Sequence, residues 1–276
     1  MLTIIASMEH EIAGLRRELR TGPLRAGTRP TNGADEILPV QLQVVGLGRR
    51  NAETSVRRLL SQRQLGSKEC EEPPDGLLLL GFAGAVEAKM RTGDLVLASR
   101  YYCPETAESQ HSKSNTDPPG TINGHLAPDS AMWGNAVEAA GRIGQPVVHV
   151  DSLTVDGLLT TPEEKQAIAR RYPVGIVEME DYWVAVAAWD AGVPFLSARV
   201  VLDPAHQGLP RYLPDLARSR SRAAVAVAAM PWRLPAIFGL ARRVPAARRV
   251  LTRFALSFLE ILVDGEAAPS HPAAAR

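Results

Sequence analysis

The sequence predicts an α/β fold: a single domain of three layers, α/β/α, around a central twisted sheet that is mixed but mostly parallel. One observation is that short β-branched or leucine-rich runs alternate with helical patterns along the 276 residues. Another is that some runs, such as Gly76–Leu80, are apolar at every position, which is typical of strands covered on both faces. The predicted strands are Leu2–Ala6, Val40–Val45, Gly76–Leu80, Leu95–Ala98, Val147–Val150, Gly175–Val177 and Phe195–Val201.

Helical patterns and their start signals fill the segments between these strands. Thr161, Pro162 and Glu164 predict a helix start, because they supply an N-cap hydroxyl, a proline and an acid in the first turn. Polar segments rich in turn residues predict loops at Gly66–Pro74 and Cys103–Pro128. The predicted helices are Glu9–Arg20, Asn51–Gln64, Ser130–Arg142, Pro162–Arg171 and Glu180–Ala191.

The C-terminal part predicts a helical extension of the domain. We expect a catalytic domain over residues 1–230, the extension over 231–263 and a disordered, Ala- and Pro-rich tail over 264–276. An apolar stripe at helical spacing favours packing on the protein's own core, with peripheral membrane contact through this helix as the alternative. The stripe consists of Ala247, Val250, Leu251, Phe254, Phe258 and Leu262.

Charge and cysteine content narrow the possible classes. Lysines and arginines number 31 against 30 acids, so no global charge favours nucleic acid as the partner, and a small molecule fits better. Cys70 and Cys103 are too few for a disulfide framework and lack the spacing of a zinc site, so we expect no metal and a cytoplasmic location. No basic leader precedes the apolar Met1–Ser7, and no apolar run reaches the roughly 18 residues that span a bilayer.

Acidic side chains follow three predicted strands, where the carboxyl ends of parallel strands open onto the ligand crevice. Glu11 follows the first strand, and its structural alternative is a first-turn acid that meets the helix dipole. The segment Val177–Asp181 holds three acids, and a carboxylate there can accept the two hydroxyl hydrogen bonds of a ribose diol. Asp203 lies just past the end of the predicted strand Phe195–Val201, which contains Arg199. There a partly buried acid can have a raised pKa and donate a proton near neutral pH, although Asp-Pro can equally form a turn.

Two glycine-containing segments are candidates for ligand contact. Gly81–Ala85 follows the most apolar predicted strand, and its small residues let a ligand approach the backbone, although plain packing explains them as well. Between a strand and a helix, Gly48 and Arg49 could offer an N–H group and a guanidinium to phosphate. The third glycine of the dinucleotide fingerprint is missing, and a tight turn is the alternative.

Taken together, five segments resemble, in order and approximate spacing, the signature of bacterial methylthioadenosine and adenosylhomocysteine nucleosidases of the purine nucleoside phosphorylase superfamily. This resemblance covers the chain from about Met1 to about Pro204. The C-terminal segments Pro231–Pro235 and Ala247–Arg249 instead resemble the hopanoid-associated phosphorylases of the same superfamily. The five segments are Met8–Glu11, Gly81–Gly84, Gly93–Val96, Val177–Glu180 and Arg199–Asp203.

The resemblance implies an enzyme that cleaves the bond between a sugar and a purine base. It implies that Glu11 activates the attacking water, Glu180 holds the ribose hydroxyls and Asp203 protonates the departing purine. It further implies that Met179 packs against the sugar and that Arg199 lies near the nucleophile. The resemblance implies no cofactor beyond phosphate as a co-substrate. Members of the family are typically homo-oligomers, so a dimer or a trimer is implied for this chain.

Two departures from the family pattern favour a more hydrophobic substrate pocket. The family's G-S-A-G is replaced by a sequence containing Phe82, Ala83 and Gly84, all three expected to contact substrate, and the serine before the acid is Leu202. The leading hypothesis is adenine release from a 5′-modified adenosine by water or phosphate, with adenosylhopane as the substrate implied by the C-terminal resemblance. The alternatives are a methylthioadenosine/adenosylhomocysteine nucleosidase of salvage and a non-catalytic nucleoside-binding protein.

Overall fold

A computed structural model describes residues 1–21, 40–61, 74–104, 125–209 and 234–267. Most of the two predicted loops, at 66–74 and 103–128, lies outside these ranges. The strands are β1 Leu2–Ala6, β2 Val40–Val44, β3 Gly76–Ala85, β4 Leu95–Tyr102, β5 Val147–Thr154, β6 Ile176–Glu178 and β7 Phe195–Asp203. The helices are α1 Glu9–Thr21, α2 Arg49–Ser61, α3 Ser130–Arg142, α4 Pro162–Arg171, α5 Asp181–Ala191 and α6 Leu234–Ala267.

The seven described strands form one mixed sheet in the order β2-β1-β3-β6-β5-β4-β7, and β7 also pairs with β3. Five of its pairings are parallel, whereas β3 with β6 and β4 with β7 are antiparallel. The added pairing closes β3, β6, β5, β4 and β7 into a ring, with β1 and β2 extending it at one side. The predicted mixed, mostly parallel sheet is therefore confirmed.

Helices cover both faces of the sheet, as the uninterrupted apolar strands predict. Ile4 and Leu78 point into a core shared with α1, α3 and α6. Their neighbours Ile5 and Leu77 point into a second core shared with α2 and α5. Successive strand residues face opposite sides, so a strand buried on both sides must be apolar at every position. The three-layer arrangement is confirmed.

The strands that carry candidate site residues are longer than predicted. Gly81–Ala85, predicted to follow β3, forms its second half, because β3 pairs with β7 from Leu77 to Gly84. Likewise, β4 and β5 continue to Tyr102 and Thr154: beyond the predicted strand ends β4 pairs with β5 up to Leu153, and Thr154 pairs with β6. Each of these strands is extended by backbone hydrogen bonds to a neighbouring strand. The pattern of apolar residues in the sequence does not reveal such pairing.

Helix α6 is part of the main core. Its residues Ala247, Leu251, Phe254 and Phe258 are buried against the cluster that includes α1 and α3, so the favoured prediction, that the stripe packs on the protein, is confirmed. The helix continues to Ala267, four residues past the predicted end of the extension, and the rest of the predicted tail lies outside the described residues. Within the described ranges, no helix combines the length and apolar character needed to cross a membrane.

Candidate active site

A cavity of about 520 Å³ opens where β1, β6 and β7 end. All eight residues predicted to act on or bind the nucleoside line it, although they are spread over almost 200 positions of the sequence. The lining residues are Ser7, Met8, His10, Glu11, Leu47, Phe82, Ala83, Gly84, Leu158, Val177, Glu178, Met179, Glu180, Arg199, Leu202, Asp203, Leu209, Val244 and Pro245.

Glu11 is held in this cavity by the backbone. The N–H of Met8 donates to its Oε2 at 2.8 Å, and the N–H of Phe82 donates to its Oε1 at 3.1 Å. Burial raises the pKa of Glu11 to about 7, against the opposing charge of Arg199 and with a further increase from Glu180. A carboxyl with this pKa can take up a proton at neutral pH, as a general base must.

Asp203 is the last residue of β7 and is buried. Burial raises the pKa of its carboxyl to about 6, although the adjacent Lys165 ammonium acts in the opposite direction. The expectation of a raised pKa is confirmed, and the group can therefore donate a proton close to neutral pH. Lys165, which is fully buried on α4, forms an ion pair with Asp203 Oδ2.

Arg199 lines the cavity and pairs with three carboxylates, two of which also line it. Its Nη2 lies 2.5 Å from Asp181 Oδ1, 3.0 Å from Glu178 Oε2 and 3.5 Å from Glu180 Oε2. Ser197 also donates to Asp181 Oδ1, at 2.7 Å. All four charged side chains are at most 3% exposed, so the guanidinium compensates a negative charge that burial would otherwise make costly.

The acids of the segment 177–181 have different hydrogen-bond partners and different structural roles. Glu178 accepts hydrogen bonds from the backbone N–H groups of Glu180 and Asp181, both at 2.6 Å, and so caps the start of α5. Glu180 is the N-cap residue by position, but its side chain makes no capping bond. Its Oε1 instead accepts from the Gly48 N–H at 2.8 Å, and the carboxylate lines the cavity.

The two predicted phosphate-binding residues do not line the cavity. The Gly48 N–H already donates to Glu180, and Arg49 lies with its guanidinium carbon 3.7 Å from the centroid of the Trp183 ring. Their role with phosphate stays a prediction. In the part of the chain that the structure describes, no group of three or more potential metal-ligating side chains is arranged to hold a metal ion.

Four positions at or beside the site were missed in the sequence analysis. Lys165 gave no signal, because a lysine in a charged helix is normally expected on the surface. Glu178 and Asp181 were noticed as part of an acidic cluster, but their pairing with Arg199 depends on how β6 and β7 lie in the sheet. His10 was assigned no role, but it lines the cavity with its ring stacked on Phe82 at 6.0 Å between centroids.

A substitution at Gly81 tests how tightly the side chains of Arg199 and Glu11 are packed against β3. A Cβ at this position would overlap Arg199 Nη1 and lie 3.2 Å from Glu11 Oε1. We expect Gly81→Ala to displace the guanidinium and to lower the free energy of unfolding by about 1–3 kcal/mol, the usual cost of overpacking. Urea denaturation measures this loss. Gly134→Ala is the control because a Cβ there meets nothing within 4 Å, and an unchanged stability of Gly81→Ala would contradict the packing described here.

Comparisons with known proteins identify the family of the chain and agree with its fold. The profile of the phosphorylase superfamily matches residues 2–230. A 5′-methylthioadenosine/S-adenosylhomocysteine nucleosidase from Maridesulfovibrio salexigens is 28% identical over 214 residues, covering 74% of this chain and 86% of the relative. Futalosine hydrolase of Helicobacter pylori is 14% identical, with a TM-score of 0.66 over 94% of this chain and 97% of that chain. The nucleosidase from Neisseria meningitidis in complex with methylthio-immucillin-A is 18% identical, with a TM-score of 0.66 over 94% and 98%.

Proposed function

This chain belongs to the phosphorylase superfamily, and on that premise we propose that it cleaves the N-glycosidic bond of a 5′-modified, adenosine-type nucleoside and releases adenine. The observation that carries the proposal is that Glu11, Glu180 and Asp203 line one cavity. Two of them have pKa values near neutral pH, as a paired base and acid require. A protein that only binds nucleosides would need neither group.

The three acids fit the charge changes of the reaction. As the C–N bond breaks, the sugar gains positive charge and the base gains the electron pair. In the proposed reaction Glu180 accepts hydrogen bonds from the ribose hydroxyls, and Glu11 takes a proton from the attacking nucleophile. Asp203 donates its proton to the departing base, so that the base leaves neutral. Each interaction is strongest when the charges develop, which is the condition for lowering the barrier.

The charges around the cavity support water as the nucleophile. Its described lining holds four acids, and its one guanidinium, that of Arg199, is already paired with Glu178, Glu180 and Asp181. Burial and the nearby Arg248 lower the pKa of His10, so this ring is neutral near pH 7. A phosphate anion would meet mainly negative charge among these residues, whereas water meets no such cost.

The deciding experiment measures adenine release from 5′-deoxy-5′-substituted adenosines with and without inorganic phosphate. Release that does not depend on phosphate, with free sugar as the second product, is expected. Release only with phosphate, giving a sugar 1-phosphate, would replace hydrolysis by phosphorolysis. No release, with binding still detectable by calorimetry, would leave a nucleoside-binding protein.

The pH dependence of kcat/KM follows from the two pKa values. In the active form Glu11 is ionised, which is favoured above its pKa of about 7. Asp203 is protonated in the same form, which is favoured below its pKa of about 6. The product of the two fractions gives a symmetric bell with its optimum midway, at about pH 6.5. Initial rates between pH 4.5 and 9 at constant ionic strength test this, and a profile that keeps rising above pH 8 would contradict the assignment.

The cavity wall supports an apolar group at the 5′ carbon. Leu47, Leu158, Leu202 and Leu209 line it together with Val244 of α6, so a hydrocarbon substituent would bury apolar surface on both sides of the contact. Adenosylhopane, expected from the C-terminal resemblance, has this character. We expect kcat/KM to rise along a series of 5′-alkylthio adenosines from methyl to octyl. A fall along the series, with adenosylhomocysteine preferred, would favour the salvage alternative.

Homo-oligomerisation and a cytoplasmic location remain part of this proposal. Light scattering coupled to size-exclusion chromatography measures the mass of the assembly against the 29.8 kDa of one chain. A dimer or trimer is expected, and a monomer at micromolar concentration would contradict this expectation.

A further inference from the structure

Lys165 is a buried lysine that has no role in the mechanism proposed above. It lies in the first turns of α4 with no exposed surface, although lysines are seldom fully buried. Its Nζ contacts four oxygen atoms: Asp203 Oδ2, the Asp203 carbonyl at 3.2 Å, the Pro204 carbonyl at 3.0 Å and the Gln207 carbonyl at 2.9 Å. Three of these are carbonyl oxygens, which can only accept, so Nζ faces them as a donor; a lysine ammonium has three N–H donors and no acceptor.

The local structure fixes this ammonium in place. Thr161 and Glu164 form a capping box at the start of α4, in which the Glu164 side chain accepts from the Thr161 N–H at 2.9 Å. The segment after Asp203 is tied to the same helix end, because the Leu209 N–H donates to the Thr160 carbonyl at 2.9 Å. Lys165 therefore stands on a capped helix, opposite a segment that is bonded to that helix.

We propose that Lys165 is a positioning residue for Asp203: its ammonium holds Oδ2, directs the acidic proton to Oδ1 and neutralises the carboxylate that remains after proton transfer. This inference rests on the proposed function of Asp203 as the acid. Because an ammonium can only donate, Oδ2 must accept, and the carboxyl proton is left to Oδ1. Within the described residues, Oδ1 makes no hydrogen bond of its own.

The proposed step transfers one proton from Asp203 to the departing base. The C–N bond breaks and its electron pair goes to the base. The Oδ1–H bond of Asp203 breaks as an N–H bond forms on the base, and the negative charge left on Asp203 is paired with the Lys165 ammonium. Solvent returns a proton to Asp203 after the base has left. Without the ammonium this negative charge would be buried with no partner, which costs free energy in the transition state.

Among the described residues, few other charged groups act on Asp203. Arg243, half-buried on α6, weakly favours the ionised form, as Lys165 does. His206, in the turn after β7, is exposed. Glu11, Glu178, Glu180, Arg199 and His10 share the cavity lining. Of the residues that the structure describes, Lys165 is the charged group in ion-pair contact with Asp203, so its removal tests the pair.

The experiment compares Lys165→Gln, which keeps an N–H donor without the charge, with Lys165→Arg, which keeps the charge. An adjacent cation lowers a carboxyl pKa by about 1–3 units. The optimum of kcat/KM lies midway between the pKa values of the base and the acid. We therefore expect Lys165→Gln to move the optimum upward by at least about half a pH unit and to lower kcat about tenfold or more with little change in KM. Lys165→Arg should keep the optimum and recover part of kcat.

Controls separate the possible failures. Lys89→Gln changes an exposed lysine that pairs with Glu87, and its pH profile should match the wild type. A uniform loss of kcat in Lys165→Gln at every pH, with the optimum unmoved, would overturn the proposal. Loss of the folded state in both Lys165 variants would assign Lys165 to the fold alone and would also overturn it. A wild-type protein that releases no adenine from any nucleoside would instead refute the proposed function.

Discussion

Asp203→Asn is expected to lower kcat by roughly 10²–10⁴-fold, the usual contribution of a positioned general acid. The amide has nearly the shape of the carboxyl and can still accept from Lys165, but it has no proton to give. The base would then have to leave as an anion. Because the substrate is not yet charged in the bound complex, we expect KM to change by less than about threefold. Stopped assays of adenine release measure both constants.

A matched control is Asp151→Asn on β5, which removes another buried strand carboxylate paired with a cation, here Arg100 at 2.9 Å. Asp151 does not line the cavity, so its substitution should leave kcat unchanged. An Asp203→Asn enzyme within tenfold of wild-type kcat would remove Asp203 from its role. The same substitution should have little effect on a p-nitrophenyl riboside, because its leaving group departs without protonation.

Arg199→Leu is expected to lower the free energy of unfolding by about 3–5 kcal/mol, the range for a buried ion pair that loses one partner. It would leave Glu178, Glu180 and Asp181 in the protein interior without a cation. Burial already raises the pKa of Glu178 to about 8, above its value in the unfolded chain, and the variant loses the Arg199 charge that acts in the opposite direction. The contribution of such a group to stability is complete at low pH and is lost as pH rises, so the defect should be larger at pH 8 than at pH 5.

Urea denaturation of wild type and variant at the two pH values measures this difference. The control is Arg100→Leu, whose guanidinium is half exposed beside Asp151; it should cost no more than about 1 kcal/mol. Equal losses for the two arginine variants, or a loss that does not grow with pH, would contradict the buried-charge explanation.

The sequence predicted much of this fold because local patterns carry the relevant information. Alternating apolar and helical segments identified the layers, and the Thr161 start signal matched a real capping box. Glu11 and Asp203 could be placed at one site because each follows a predicted strand, and β1 and β7 both run parallel to β3, so that their carboxyl ends lie at the same edge of the sheet. Glu180 follows β6, which runs antiparallel to β3, so strand direction alone did not place it. The resemblance to a known family assigned roles that position alone did not give.

What the sequence did not predict depends on pairing between distant segments. The second half of β3 is a strand because β7 lies beside it, and residues such as Gly81 and Ala83 have weak strand preference of their own. Lys165 is buried because α4 packs against the residues that follow Asp203. Such contacts leave no periodic trace in the chain, and only the three-dimensional structure shows them.

The two hydrogen bonds that hold the Glu11 carboxylate come from main-chain N–H groups, which every residue except proline possesses. The identity of the side chain at position 82 is therefore decoupled from the orientation of the proton acceptor. Phenylalanine can replace the family's serine there and change the substrate preference of the enzyme while the orientation of the Glu11 carboxylate is kept. Within this scaffold, ligand preference and chemical competence can diverge independently during evolution.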